Sequence, residues 1–288
     1  MRILLFGRNG QVAQCLQQEA RGVHQLTALG RAEADLMRAG TAASAIERTR
    51  PELVVNAAAY TAVDKAEEEP AAAQQLNAAA PAEMAAATRK TGARFIHLST
   101  DYVFDGNDER ALSEDHETAP LNVYGRTKRE GENAVLTADD RAVILRTSWV
   151  FSEFGGNFVK TMLRLGAERS ALSIVDDQVG GPTAARDIAK AVLTIGGKIG
   201  RCAPGAGVYH YQGAPSVSWA GFARRIFDAA GVKVAVEPIA TADYPTPARR
   251  PLRTVLDCAR IERDFGLAQP DWRAALHPVV AMLTTGRQ

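Results

Sequence analysis

The chain has 288 residues, 46% hydrophobic and 23% charged, with 34 Lys and Arg against 33 Asp and Glu for a formal net charge of +1. That length suits one large α/β domain or two unequal lobes, and the balanced composition excludes a disordered, collagen-like or strongly acidic chain. Without a long-range positive field, nucleic acid is not the expected partner, and an anionic ligand has to be held locally.

The first apolar run, Ile3 to Phe6, stops at Gly7-Arg8-Asn9, too short for a signal-peptide core or a membrane span. A cytoplasmic protein with no membrane partner is expected. Strand-length apolar runs at about 2–6, 24–29, 52–56, 93–98 and 141–146 alternate with helix-period stretches. The helices are Gln11 to Ala20, Ala42 to Thr49, an Ala-rich tract over 65–90 broken by Pro70 and Pro81, and Val123 to Leu136. This β-α-β-α rhythm predicts an α/β, Rossmann-type doubly wound parallel sheet. After Trp149 the rhythm loosens into a Gly-rich turn, a helix near 157–168, a strand near 172–175, a helix near 184–195 and a strand near 207–211, followed by a mixed tail. The Pro-rich stretch 244–251 reads as an ordered loop. With no Gly/Ser linker, the expected division is a dinucleotide-binding domain over 1–148, completed near 184–211, and a smaller interleaved lobe over 149–288.

Cys15, Cys202 and Cys258 lie far apart with no C-x-x-C pair, and the five histidines, His97 among them, show no metal-binding spacing. Structural or surface roles fit each histidine, and no metal ligands are assigned. The chemistry gathers elsewhere. Gly7-Arg8-Asn9-Gly10-Gln11-Val12-Ala13 carries a buried strand into a glycine turn that opens a helix, the context of a dinucleotide fingerprint. Gly7 serves the tight turn, Gly10 lets backbone N–H groups approach a pyrophosphate, and Ala13 keeps the helix close to the strand. Arg31 follows the second strand, where it is either a partner for a 2′-phosphate or a solvated loop charge, with Glu33 and Asp35 close behind. Tyr124 and Lys128, four apart, share one helix face, where an ammonium makes a phenol a usable acid at neutral pH. Ser99 and Thr100 end the fourth strand, as turn caps or as hydroxyls for a substrate carbonyl.

Gly-x-x-Gly in the first turn, Asn56-Ala57-Ala58-Ala59, Ser99 to Phe104 and Tyr124-Gly125-Arg126-Thr127-Lys128 together resemble the extended short-chain dehydrogenases/reductases. Within them, Asn56 to Glu67, Pro120 to Gly125, Arg146 to Phe151, Asn157 to Met162 and Pro245 to Pro251 are similar to the dTDP-4-dehydrorhamnose reductase family, nearly end to end. The resemblance implies reduction of the 4-keto group of dTDP-6-deoxy-L-lyxo-4-hexulose with NADPH or NADH, giving dTDP-L-rhamnose for surface polysaccharide. It implies Thr100, Tyr124 and Lys128 as the catalytic set, in which Thr100 orients the carbonyl, Tyr124 delivers the proton and Lys128 tunes Tyr124 and anchors the ribose. Gly10, Gln11 and Val12 would line the pyrophosphate, Asp35 and Leu36 the adenosine end, and Ala59, Tyr60 and Thr61 the middle of the cofactor. Thr100, Asp101 and Trp149 would face the sugar nucleotide, and Arg250 with Arg249 would contribute to its recognition or simply order the loop. Trp149 alternatively belongs to the core. Mg2+ enters by the resemblance only, and Cys15 stands where some relatives carry a Glu associated with it. A monomer or a homodimer fits. Another NDP-sugar epimerase, dehydratase or reductase, or a non-catalytic NADP-binding regulatory subunit, shares parts of the pattern; a dehydratase would add an acid pair near Thr100, which is followed by a single Asp101.

Overall fold

The computed structural model describes residues 1–199 and 205–285, so that Cys202 lies outside the described residues. The chain begins with β1 (Arg2–Phe6), α1 (Gln11–Glu19), β2 (Gln25–Leu29), α2 (Thr41–Thr49) and β3 (Leu53–Asn56). It continues through α3 (Val63–Glu68), α4 (Pro70–Gln74), a π-helical turn (Gln75–Ala79), α5 (Ala80–Thr91) and β4 (Arg94–Thr100). A 3-10 turn (Asp101–Val103), α6 (Val123–Ala138) and β5 (Val143–Thr147) follow. These strands and β10 (Gly207–His210) form a six-stranded sheet in the order β10-β5-β4-β3-β1-β2. Every pairing in it is parallel.

The continuous apolar runs of the sequence follow from burial of this sheet on both faces. Ile3, Leu5, Val55, Ile96 and Leu145 pack on one side with Ala13 and Leu16 of α1 and with Ile188, Val192 and Ile195 of α8 (Ala185–Lys198). Leu4, Phe6, Val54, Phe95 and Ile144 face the other side, where Ile46 of α2, Met84 of α5 and Val135 of α6 cover them.

Between β5 and β10 lie β6 (Val150–Phe151), α7 (Phe158–Glu168), β7 (Ala171–Val175), β8 (Val179–Gly180) and β9 (Thr183–Ala184). After β10 come β11 (Val217–Ser218), α9 (Trp219–Ala230), β12 (Ala235–Ile239), α10 (Ala259–Phe265) and α11 (Trp272–Thr285). A third core joins α7, α9 and α11 through Met162, Phe222, Ile226, Trp272 and Leu276. The tail is mixed, as expected, with three helices and two short strands after β10 among the described residues. The strand expected near 172–175 pairs with β12, outside the main sheet.

Pro81 does not break the Ala-rich tract, because α4, the π turn and α5 run on without interruption from Pro70 to Thr91. A proline in the first turn of a helix gives up an N–H that has no intrahelical partner there, and the π turn absorbs the change of register. Opposite that turn, a Cβ built on Gly131 of α6 would lie 1.9 Å from the Asn77 carbonyl oxygen, and one on Gly125 would lie 2.2 Å from the Tyr102 carbonyl oxygen. Both glycines let α6 lie against backbone rather than against side chains. Replacing Gly131 by Ala is expected to destabilise the protein by about 2 kcal/mol despite the better helix propensity of alanine, since the clash is with a carbonyl that cannot rotate away. Urea unfolding checks this; an unchanged or raised midpoint would contradict the close approach.

Candidate active site

The carboxyl ends of β1, β3, β4 and β5 meet at a cleft of about 820 Å³. Gly7 turns the chain out of β1 with φ +94°, and a Cβ there would lie 2.7 Å from the Ala58 nitrogen, so the turn requires glycine. Gly10 is the N-cap of α1, where no side chain caps the helix and no acidic residue occupies the first turn. The Gly10 N–H is taken up by the Gly7 carbonyl at 2.9 Å, and the backbone N–H groups of Gln11 and Val12 on the cleft wall therefore offer an anion site. The Gln11 side chain reaches instead to the segment after β6, accepting from Ser152 Oγ at 2.9 Å and Asn157 Nδ2 at 2.8 Å.

One end of the cleft, beside β2, is lined by Arg31, Asp35 and Leu36, and Ala59, Tyr60 and Thr61 line its middle. Arg31 is extended into solvent, 82% exposed, with a 3.6 Å ion pair to Asp35, whereas Arg8 is tied to Glu33 at 2.8 Å. Tyr60 is held at its backbone by Asn77, whose Oδ1 accepts from the Tyr60 N–H at 2.8 Å and whose Nδ2 donates to the Tyr60 carbonyl at 3.2 Å.

At the other end stand Ser99, Tyr124, Lys128 and Thr147. Asn122 caps α6, its Oδ1 accepting from the Gly125 N–H at 2.8 Å, which fixes the turn that carries Tyr124. Burial pushes the Tyr124 hydroxyl up to about 12, and its hydrogen bond with Thr100 acts in the opposite direction. Lys128 is 2% exposed and donates from Nζ to the Leu98 carbonyl at 2.7 Å. Burial brings it down to about 8, with the Glu132 carboxylate opposing that fall. Glu132 is itself fully buried in a two-pronged pair with Arg146, at 2.8 and 2.7 Å, and accepts from Ser99 Oγ at 2.6 Å. Thr147 Oγ1 is the one buried side-chain oxygen or nitrogen among the described residues without a hydrogen-bond partner, an arrangement that suits a wall facing a polar ligand.

Two residues expected at the sugar have other partners. Asp101 is 2% exposed; its Oδ1 accepts from Thr100 Oγ1 at 3.1 Å and its Oδ2 from Thr254, so it supports Thr100 from below. Arg250 clamps Asp64 of α3 at 2.7 Å and bonds the Ala248 carbonyl at 3.0 Å, bracing the Pro-rich loop with a guanidinium already engaged. Arg249 is exposed and contributes its carbonyl to Asn122 Nδ2 at 2.7 Å. Trp149 has φ +44° and stacks on Trp219 with ring centroids 3.4 Å apart. Asn77, His97, Glu132, Arg146 and Trp219 were not assigned to the site from the sequence. A charged residue inside the apolar strand 143–147, and a glutamate one further turn along the Tyr124 and Lys128 face, were the available signals.

A doubly wound parallel sheet, a glycine turn opening onto a helix and a Tyr/Lys helix beside the fourth strand define a Rossmann-type protein of the extended short-chain dehydrogenase/reductase kind. The RmlD substrate binding domain family matches residues 1–285, and the chain belongs to it. The dTDP-4-dehydrorhamnose reductase of Sinorhizobium fredii is 44% identical over 100% of this chain and 99% of its own, and that of Burkholderia thailandensis is 44% identical over 96% and 97%. The crystal structure of a dTDP-4-dehydrorhamnose reductase from Clostridium acetobutylicum is similar with a TM-score of 0.94 and 36% identity, covering 98% of this chain and 99% of that one. The Bacillus anthracis enzyme, solved in complex with NADP, gives 0.92 and 33% over 98% and 99%.

Asp101 has a pH consequence. Burial raises its carboxyl to about 6, above the 3.8 of a free aspartate. A raised folded value means stability that is complete below the unfolded value and is lost as the pH climbs through the folded one. Wild type should lose about 3 kcal/mol relative to Asp101→Asn between about pH 4 and pH 6. Parallel denaturation of both proteins across that range measures it; equal slopes would place the carboxyl in a better-solvated setting.

Proposed function

We propose that the protein reduces the 4-keto group of a dTDP-linked 6-deoxy-4-hexulose with NADPH or NADH, forming dTDP-L-rhamnose, in the cytoplasm and as a monomer or homodimer. The observation that carries this is the meeting of Tyr124 and Lys128, with Thr100 buried behind and bonded to Tyr124, at one end of a cleft whose other half is a glycine turn and an uncapped helix N-terminus.

The cleft fits the dinucleotide. Side chains are excluded at Gly7, the N–H groups at the start of α1 suit a pyrophosphate, and the unpartnered Thr147 hydroxyl stands near the Tyr124 end. Gln11 and Val12 would hold the diphosphate through backbone N–H groups, with Gly10 lining it closely, Asp35 and Leu36 the adenosine, and Ala59, Tyr60 and Thr61 the bridge. The bound cofactor supplies the hydride. Thr100, whose one O–H is given to Asp101, would turn it to the carbonyl oxygen to orient it. Tyr124 remains protonated at neutral pH and gives its proton to that oxygen, and Lys128 stabilises the phenolate left behind. Trp149 offers an aromatic face for the sugar, with Trp219 behind it.

No helix among the described residues is long and apolar enough to cross a membrane, and none of their His, Cys, Asp and Glu side chains group in threes around a metal position. A magnesium role therefore has no ligands to name here.

The direct test is oxidation of NADPH and NADH by the purified protein with the dTDP-4-keto sugar, with the product identified. In that assay Tyr124→Phe should retain cofactor binding and lose roughly 10²–10⁴-fold in turnover, because only the proton donor is removed. Turnover within a few-fold of wild type would exclude Tyr124 as the acid. Arg31, solvent-exposed at the β2 end and paired with Asp35 at 3.6 Å, is expected to meet a 2′-phosphate, so Arg31→Ala should weaken NADPH several-fold and leave NADH unchanged. Fluorescence titration of both cofactors decides, and equal losses would make it a surface charge.

A further inference from the structure

His97 lies on β4, directly beneath the site and wholly shielded from solvent. Its two ring nitrogens have different neighbours. Nδ1 is 3.0 Å from Asn56 Nδ2, and Nε2 is 3.2 Å from Lys128 Nζ. The Asn56 amide has only one sensible orientation, because its Oδ1 accepts from the Ala58 N–H at 3.0 Å in the turn that follows β3. Turning the amide over would set its NH2 group against that N–H. Asn56 therefore presents a donor to Nδ1, and Nδ1 must accept.

We propose that His97 is a positioning residue for the reaction: its tautomer, locked by Asn56, points the Nε2–H at Lys128 and so favours the neutral amine of that lysine over the ammonium. A charged lysine has three donors and no lone pair, so it cannot accept from Nε2–H, whereas the neutral amine can accept there while still donating to the Leu98 carbonyl. A second proton on the ring would not relieve the conflict, since it would set an Nδ1–H against the Asn56 NH2 group, and burial disfavours the charged ring.

Among the other groups near Lys128, the Glu132 carboxylate acts in the opposite direction. On α6, Glu132 lies one turn further along, its carboxylate tied to Arg146 of β5, to Ser99 of β4 and, at 3.1 Å, to Arg129. Tyr124 lies one turn back on the same helix. His97 thus balances Glu132, and the charge on Lys128 becomes responsive to a phenolate at Tyr124 and to a bound ribose rather than fixed beforehand. The tautomer and the lysine titration do not depend on the reaction; the consequence for turnover rests on the function proposed above.

Two measurements on the protein without substrate come first. Nitrogen-15 NMR of the histidine rings should show His97 as the Nε2–H tautomer, and an Nδ1–H tautomer would overturn the proposal. With carbon-13-labelled lysine, the Lys128 signal, assigned by its loss in Lys128→Arg, should titrate at higher pH in His97→Asn than in wild type. That variant keeps an acceptor for Asn56 but has no N–H that reaches Lys128. The expected rise is about one pH unit, a tenfold gain in proton affinity. His97→Leu, its folding checked by thermal melting, should move the same way, and a fall or no movement in either variant would overturn the proposal. The pH profile of NADPH oxidation is the third reading. If the lysine titration moves and the profile moves with it, His97 acts on turnover through Lys128. If only the titration moves, the coupling stands and the part given to Lys128 in the reaction fails.

Discussion

The closeness of α6 to the end of the sheet is the constraint on which the site depends. A helix that presents Tyr124 and Lys128 to a cleft has to approach the 3-10 turn and the π turn to backbone distance, and Gly125 and Gly131 remove the side chains that would prevent it. The helix is then held by a buried charge pair. Glu132 and Arg146, both shielded from solvent, would be expensive to desolvate alone, and burial does work against the Glu132 charge. The pair of bonds from Arg146 and the Ser99 hydroxyl outweigh it, leaving the carboxyl below its ordinary range. Such a pair adds little net stability compared with apolar packing, yet it tolerates only one register of α6 against β5, because a shift would leave two unpaired charges in the core.

That register also explains how three polar residues reach one place from separate elements. Thr100 is the last residue of β4, Lys128 lies a turn beyond Tyr124 on α6, and Thr147 pairs with Thr100 across the sheet at the end of β5. β4 and β5 end at the same level because their pairing is parallel and in register, so the carboxyl edge collects the two hydroxyls without any long-range search by a loop. The segment that follows β6 is attached at this same edge. Gln11 beside the glycine turn bonds Ser152 and Asn157, so the loop after β6 is fastened to the element that would hold a diphosphate.

The parts of this arrangement legible in the sequence are those with a local cause. A strand buried on both faces must be apolar, a turn with positive φ beneath backbone must be glycine, and two side chains four apart on a helix must be neighbours; β1 to β5, Gly7 and the Tyr124 and Lys128 pair follow. What the sequence hid was contact between distant segments. Nothing near Asp101 reveals that Thr254 will engage its carboxylate, and nothing near Arg250 reveals that Asp64, 186 residues away, will occupy its guanidinium. The elements of the mixed tail were obscured for another reason: β11 is two residues long, and α11 carries Pro278 inside it, so neither period nor punctuation marks them. The Ala-rich tract erred oppositely, since a proline after a π turn does not end a helix.

Trp149 shows how the second lobe completes what the sheet begins. A bulky residue at φ +44° is in a conformation that costs on the order of 1–3 kcal/mol, which persists only where the surroundings over-determine it. Here the indole is pressed flat on Trp219, and a Cβ on Gly180 would lie 2.9 Å from it, so the space around the ring admits one placement. Trp219 is in turn the first residue of α9, capped by the Ser218 hydroxyl on the Gly221 N–H at 3.0 Å, with its Nε1 donating to Gln178 at 3.2 Å. The choice between core and sugar wall for Trp149 therefore rests on a false opposition. One face of the indole is covered by Trp219 and its Nε1–Cε2 edge approaches Gly180, so packing alone fixes the ring, and a half-buried side chain fixed in that way can belong to a core and still line a cleft.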